Sequence, residues 1–134
     1  MVLRFPKQIS KQKELQDQLT FQEEIERVRG QHGGQELAVF KIGISQCLER
    51  RAMYYFDANF DEMVCIHATN SLAQVEALEA CLVDFYRDKA PRQCRNVLPG
   101  GEGMRRKNGT PKNPPPYFVY VVAANASQMK RIGC

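Results

Sequence analysis

With 134 residues, 43% of them hydrophobic and 25% charged, the chain can build one globular core and is too short for two. No apolar run approaches the ~20 residues needed to span a bilayer, and Met1-Val2-Leu3-Arg4-Phe5-Pro6 leads into polar Lys and Gln instead of an apolar signal-peptide core. The expectation is a soluble intracellular protein, cytoplasmic or nuclear, without a membrane partner. The net charge of +4 hides an asymmetry: Met1 to Tyr86 holds 9 Lys/Arg against 13 Asp/Glu, and Arg87 to Cys134 holds 10 against 2, so an anion would bind near the C-terminal half.

Residues 9 to 29 alternate Gln, Lys and Glu with Ile9, Leu15, Leu19, Ile25 and Val28, the pattern of an amphipathic helix of low hydrophobicity. Thr20-Phe21-Gln22-Glu23 has the form of a capping box, which would break it into two near Thr20, and Gly30, Gly33 and Gly34 end it. Such a helix either packs on its own domain or pairs with a partner, including a second copy of the chain.

Leu37 to Ile44 reads as a buried strand that closes on Gly43, taken as a tight glycine turn, with Ser45 as cap of the helix over 46 to 56. With Leu48 at zero and ~100° per residue, Ala52 falls near ~40°, Tyr55 near ~340° and Arg51 near ~300°, so Arg51 flanks the apolar stripe. Arg50, near ~200°, is on the opposite face.

Asp57 to Asp61 is turn-rich, and Glu62 to Ala68 alternates as a strand with Met63, Cys65 and His67 on one face. Asn70 or Ser71 caps a helix over 72 to 87. With Val75 at zero, Leu82 lies near ~340°, Tyr86 near ~20° and Glu79 near ~40°, inside the apolar face, whereas Glu76 lies near ~100°.

A carboxylate on the core side of a helix is unfavourable unless it is paired, protonated or holding a cation. Arg51 and Glu79 therefore either form a buried ion pair with each other or line one cleft, the carboxylate taking a divalent metal and the guanidinium a phosphate.

From Pro91 to Pro116 the chain is irregular and basic, and includes Met104-Arg105-Arg106-Lys107-Asn108-Gly109 and three consecutive prolines. Tyr117 to Ala123 is a strand of high β-propensity, and 125 to 134 is a short helix or loose end. The five cysteines (Cys47, Cys65, Cys81, Cys94, Cys134) are odd in number, lack a Cys-x-x-Cys pair and mostly sit in apolar patterns, as reduced core residues do.

The order of a strand with Gly43, a helix with Arg51, a second strand, a helix with Glu79, then Asn96 and Gly100-Gly101-Glu102-Gly103 resembles the GIY-YIG nuclease superfamily from its second signature onward. The resemblance covers about residues 37 to 103 and rests on five positions. It implies an α+β fold, a small three-stranded mixed or antiparallel sheet flanked by helices, over 36 to 134 with a helical extension over 1 to 35.

It also implies a metal-dependent endonuclease that hydrolyses phosphodiesters in DNA or another nucleic acid. Arg51 would neutralise the scissile phosphate and Glu79 would hold Mg²⁺ or Mn²⁺. The first signature, a strand with Gly-Ile-Tyr, should lie roughly ten residues upstream of the second across a hairpin turn. Arg29-Gly30-Gln31-His32-Gly33-Gly34 offers no such strand.

Tyr117-Phe118-Val119-Tyr120-Val121-Val122, followed by Asn125, resembles it at the other end of the chain. A circular permutation would bring it back to pair antiparallel with the Leu37 strand, since domain termini often lie close together. Tyr120 would then be the first signature's tyrosine. Lys41 stands where the second signature has one, as a phosphate contact or a base, and Tyr54 and Tyr55 are candidates for the missing phenol. Arg105, Arg106, Lys107, Lys112 and Asn96 are the candidate nucleic-acid contacts. If Lys41 abolishes the chemistry, the same fold is a nucleic-acid-binding module; a third reading is a protein-interaction domain organised by the N-terminal helix, which could also make a homodimer.

Overall fold

The computed structural model describes residues 2–4, 18–34, 38–96 and 115–126. In chain order its elements are β1 (Val2–Arg4), α1 (Gln18–Gln31), β2 (Ala38–Ser45), α2 (Leu48–Asp57), β3 (Glu62–Thr69), α3 (Leu72–Lys89) and β4 (Tyr117–Asn125). The fold is α+β. Strands β2, β4 and β3 are antiparallel neighbours, β1 adds parallel to β3, and the order across the sheet is β1-β3-β4-β2.

The last strand of the chain is thus central in the sheet. It pairs antiparallel with β2 along its length, from Ala38↔Asn125 to Ser45↔Phe118, as expected of the strand from Tyr117. The unbroken apolar character of Val119 to Ala124 follows from position: a strand with neighbours on both edges and helices over both faces has no polar side.

Helices α1 and α3 cover one face, where Phe21, Ile25 and Val28 of α1 and Val75, Leu82 and Tyr86 of α3 meet Phe40, Ile42, Val64, Val119 and Val121. Helix α2 covers the other, with Leu48, Ala52 and Tyr55 against Val39, Met63, Cys65, Tyr120 and Val122. The apolar stripe of α1 is therefore occupied by the chain's own sheet.

Several local expectations are corrected. Helix α1 runs through Thr20, which lies within it and caps nothing. Gly30 also lies inside α1, and it is Gly33 and Gly34, at φ 107° and 75°, that turn the chain away. Residues 2–4 are a strand, not part of a helical extension.

The N-cap of α2 is Cys47, not Ser45; the Ser45 hydroxyl instead accepts from the Cys47 N–H at 3.0 Å. The N-cap of α3 is Ser71, whose oxygen accepts from the Gln74 N–H at 3.2 Å. In β3 a bulge between Cys65 and His67 leaves Ile66 extra, so two residues oppose Val119. His67 is thereby turned away from Met63 and Cys65 and packs on Phe21 of α1, ring centroids 5.2 Å apart.

The first half of the N-terminal helix expected from residue 9, the Gly100 to Gly103 loop, Arg105, Arg106, Lys107, Lys112, Cys134 and the end of the chain from 127 lie outside the described residues.

Candidate functional site

Strand β2 is an edge strand, so its outer margin can be approached from either face of the sheet. Lys41 and Gly43 alternate with Phe40 and Ile42 along it, and the two sets face opposite layers. A cleft of about 160 Å³ opens at this margin. It is lined by Lys41, Ile42, Gly43 and Ile44 of β2, Arg51, Tyr54 and Tyr55 of α2, Glu79 of α3, Asn96 and Tyr120 of β4.

Every site residue expected from the sequence within the described segments is therefore brought to one place. Arg51 lines the cleft where Arg50 does not, and Glu79 does where Glu76 does not. Arg51 is exposed and Glu79 is only 3% exposed, so the two do not form a buried ion pair.

Gly43 is not a turn. It lies within β2, opposite Tyr120 across the ladder. A Cβ at Gly43 would collide with the Tyr120 hydroxyl and stand 2.5 Å from its Cζ, so only glycine lets the phenol lie over the strand. The shared core of β2, β4 and α2 then fixes that phenol: the Tyr120 hydroxyl donates to the Tyr55 hydroxyl at 3.1 Å, and the two rings are 5.7 Å apart. Tyr55 in turn stacks edge-on against Phe60 and Tyr54, and the Lys41 ammonium lies 5.8 Å from its ring centroid.

Burial pushes the pKa of the Tyr120 phenol above its ordinary value; Tyr55 and the charge of Glu79 push the same way, and Arg51 opposes them. The phenol is neutral at ordinary pH. It fits a hydrogen-bonding, positioning role and not that of a phenolate base.

Asn96 is a clamp. Its Oδ1 accepts from the Ile42 N–H at 2.9 Å and its Nδ2 donates to the Ile42 carbonyl at 2.8 Å, while the Phe40 N–H and C=O bond to Gln93 and Arg95. The segment 93–96 thus satisfies the outer edge of β2 that no strand covers. Asn96, 8% exposed with both ends of its amide on the Ile42 backbone, supports the wall of the cleft it lines.

No group of three or more His, Cys, Asp or Glu is gathered among the described residues. Glu79 is a single buried carboxylate in a polar cleft. That donor set fits Mg²⁺, an ion that keeps several waters and takes one or two carboxylates together with substrate phosphates. It does not fit a dedicated structural site.

Sequence reasoning missed the Asn96–Ile42 pairing and the contact between Gly43 and Tyr120. An asparagine before a glycine-rich stretch gives no sign of a partner strand. A tyrosine in a C-terminal strand becomes informative only once that strand is placed beside Gly43.

No protein-family model, curated protein or solved structure matches the chain. No helix among the described residues is long and apolar enough to cross a membrane.

Proposed function

We propose that the chain is a metal-dependent endonuclease that hydrolyses phosphodiesters in nucleic acid, DNA in the first instance, on a circularly permuted fold of the GIY-YIG type. The observation that carries this reading is the convergence of Lys41, Arg51, Glu79 and Tyr120, from four separate elements, on one small polar cleft. Two cations and a buried carboxylate beside a neutral phenol suit a phosphodiester. Arg51 offers a planar donor fork to the non-bridging oxygens, and Lys41 a second positive charge.

Tyr120 donates and accepts hydrogen bonds at a fixed point and orients a water or an ester oxygen. Mg²⁺ or Mn²⁺, when held by Glu79, supplies charge stabilisation at the leaving oxygen. Arg105, Arg106, Lys107 and Lys112 extend the contact along the phosphate backbone, with affinity that falls as salt rises. The free thiols of Cys47, Cys65, Cys81 and Cys94 accord with a reducing compartment, cytoplasmic or nuclear.

The test is a cleavage assay on plasmid and oligonucleotide DNA with Mg²⁺ or Mn²⁺, with Arg51→Ala and Glu79→Ala beside the parent. Cleavage by the parent, lost in both variants, is expected. One observation favours a second reading, a nucleic-acid-binding module without chemistry: Lys41 occupies the place of the second signature's tyrosine. Salt-sensitive binding without any cutting would establish that module, and binding indifferent to salt would sink both readings.

A further inference from the structure

Among the large apolar side chains that stand exposed, Met53, Tyr54 and Phe56 sit together on α2. They do not form one patch. Met53 and Phe56 line an apolar groove with Ala52 and Asp57, whereas Tyr54 lines the polar cleft beside Arg51. Helix geometry accounts for the split: residues three apart lie about 60° from each other, so Arg51 and Tyr54 share a side that Met53 and Phe56 do not.

Tyr54 is 61% exposed. Its orientation is nevertheless set from beneath. The ring of Tyr55, itself 4% exposed, meets it edge-on at 5.1 Å and 86°, and the Arg51 guanidinium lies 6.0 Å from its centroid. An aromatic face is thus held at the mouth of a cleft that gathers the charges suited to a phosphate.

The exposed lining of the cleft is mainly polar, which suits a phosphate with an ion and waters and not the apolar faces of a nucleobase. With the phosphate at Arg51, the flanking base must lie over the rim, where Tyr54 stands. A base inside a duplex has both faces covered by its neighbours and cannot use that ring. An unpaired base can.

We infer that Tyr54 is a stacking platform for an unpaired base next to the scissile phosphate, so that the site takes single-stranded or frayed nucleic acid in preference to continuous duplex. The inference rests on the nuclease reading above and adds its substrate class. Base–aromatic stacking of this kind is worth on the order of ten- to a hundredfold in affinity.

The experiment uses the full chain in EDTA, so that no strand is cut, and a short oligodeoxynucleotide carrying 2-aminopurine, offered single-stranded and as a duplex. The parent should bind the single strand more tightly and quench the probe. Tyr54→Ala should weaken single-strand binding by roughly ten- to a hundredfold, lose the quenching and leave duplex binding unchanged, while Tyr54→Trp retains all three properties. Tyr54 is exposed, and an unchanged melting temperature will show that each variant folds.

Equal single-strand affinity in Tyr54→Ala and the parent, or an equal loss for single strand and duplex, overturns the inference. If cleavage depends on Arg51 and Glu79 but Tyr54→Ala binds as the parent does, only the stacking role fails. If the parent neither binds nor cuts any oligonucleotide, the nuclease reading fails and the inference with it.

Discussion

Among the described residues, two constellations of arginine, glutamate and tyrosine have opposite character. In the first, Arg29 and Glu26 are one turn apart on α1, with Tyr86 of α3 beside them. The Arg29 guanidinium donates to Glu26 Oε2 at 2.7 Å, and the Tyr86 hydroxyl reaches the same oxygen at 2.8 Å. Arg29 is 2% exposed and sandwiched near the rings of Phe40 and Tyr86, at 5.0 and 5.6 Å from their centroids.

Burial alone would raise the Glu26 pKa, but hydrogen bonds from Tyr86 and Arg29, with the charges of Arg29 and Lys89, hold it below the ordinary carboxylate value. These groups bond to one another and fasten α1 to α3. In the second constellation Arg51, Glu79 and Tyr120 come from three elements and line a cleft, and the tyrosine gives its proton to another tyrosine instead of the carboxylate. The same residue types are internally matched in one place and turned toward a cavity in the other. Residue type alone does not say whether such groups bond to one another or line a cleft; the destination of the donors does.

Replacing the two arginines should divide the constellations most sharply. Arg29→Ala leaves the Glu26 carboxylate without its nearest cation and removes a packed side chain, and should destabilise the fold by about 3 kcal/mol or more in urea melts. Arg51→Ala should shift stability by no more than about 0.5 kcal/mol, as exposed sites do. On the nuclease reading it should lower cleavage by roughly 10²- to 10³-fold, the scale for losing one stabiliser of developing charge. If Arg51→Ala proves as destabilising as Arg29→Ala, the distinction collapses.

The next test concerns how the open site is held. Gly43→Ala places a methyl group against the Tyr120 ring and should destabilise by about 1–3 kcal/mol, as overpacking does. Tyr120→Ala removes the obstacle, so the double variant should lose less than the sum of the single ones. Additive effects in urea melts would mean that the glycine answers to something other than the phenol.

The sequence showed parts of both constellations, to different depths. Glu79 was legible because ~100° per residue places it among Val75, Leu82 and Tyr86, and it is indeed buried with them. The same arithmetic puts Arg29 ~40° from Ile25 on the side away from Phe21 and Val28, at the margin of the apolar stripe, so its burial was less legible in α1.

Strand β4 was legible because burial on both faces leaves an unbroken apolar run, β2 because apolar residues flank Lys41 on both sides, and their pairing was legible from what the region before β2 lacks. Gly43 was misread because a glycine near the end of a strand looks the same whether it turns or makes room. The deciding atom belongs to Tyr120, far off in sequence. The bulge at Ile66 leaves no trace in the composition of β3, so His67 was assigned to the wrong face.

A smaller effect should follow from Asn96, which supports the cleft wall. Asn96→Ala leaves the Ile42 N–H and C=O without their side-chain partner and should destabilise by about 1–2 kcal/mol. Hydrogen exchange at the Ile42 amide should accelerate well beyond that at Ile25 in α1. Equal protection in the variant would show that water or a neighbour replaces the clamp at no loss.

The smallest effect is a pH dependence, and it treats the two constellations alike. Burial raises the Cys65 thiol from its ordinary 9.0 to about 11. Because the folded state holds this proton more tightly than the unfolded chain does, the stabilisation is complete below about pH 9 and is lost as pH rises toward 11. By pH 10 the loss should be about 1 kcal/mol, since one pKa unit corresponds to ~1.4 kcal/mol.

Tyr86 and Tyr120 are likewise raised by burial, Tyr86 with the help of Glu26 and Tyr120 with that of Tyr55 and Glu79, so they act in the same direction but only from about pH 10 upward. Burial raises the Cys94 thiol in the same direction, so urea midpoints in reducing buffer should fall between pH 8 and pH 10 for the parent, fall less for Cys65→Ala, and change least when Cys65→Ala and Cys94→Ala are combined. Tyr120→Phe should leave that interval unaltered and flatten the fall above pH 10, as should Tyr86→Phe. A decline between pH 8 and pH 10 that survives when both thiols are removed would assign the early step to a group other than Cys65 and Cys94.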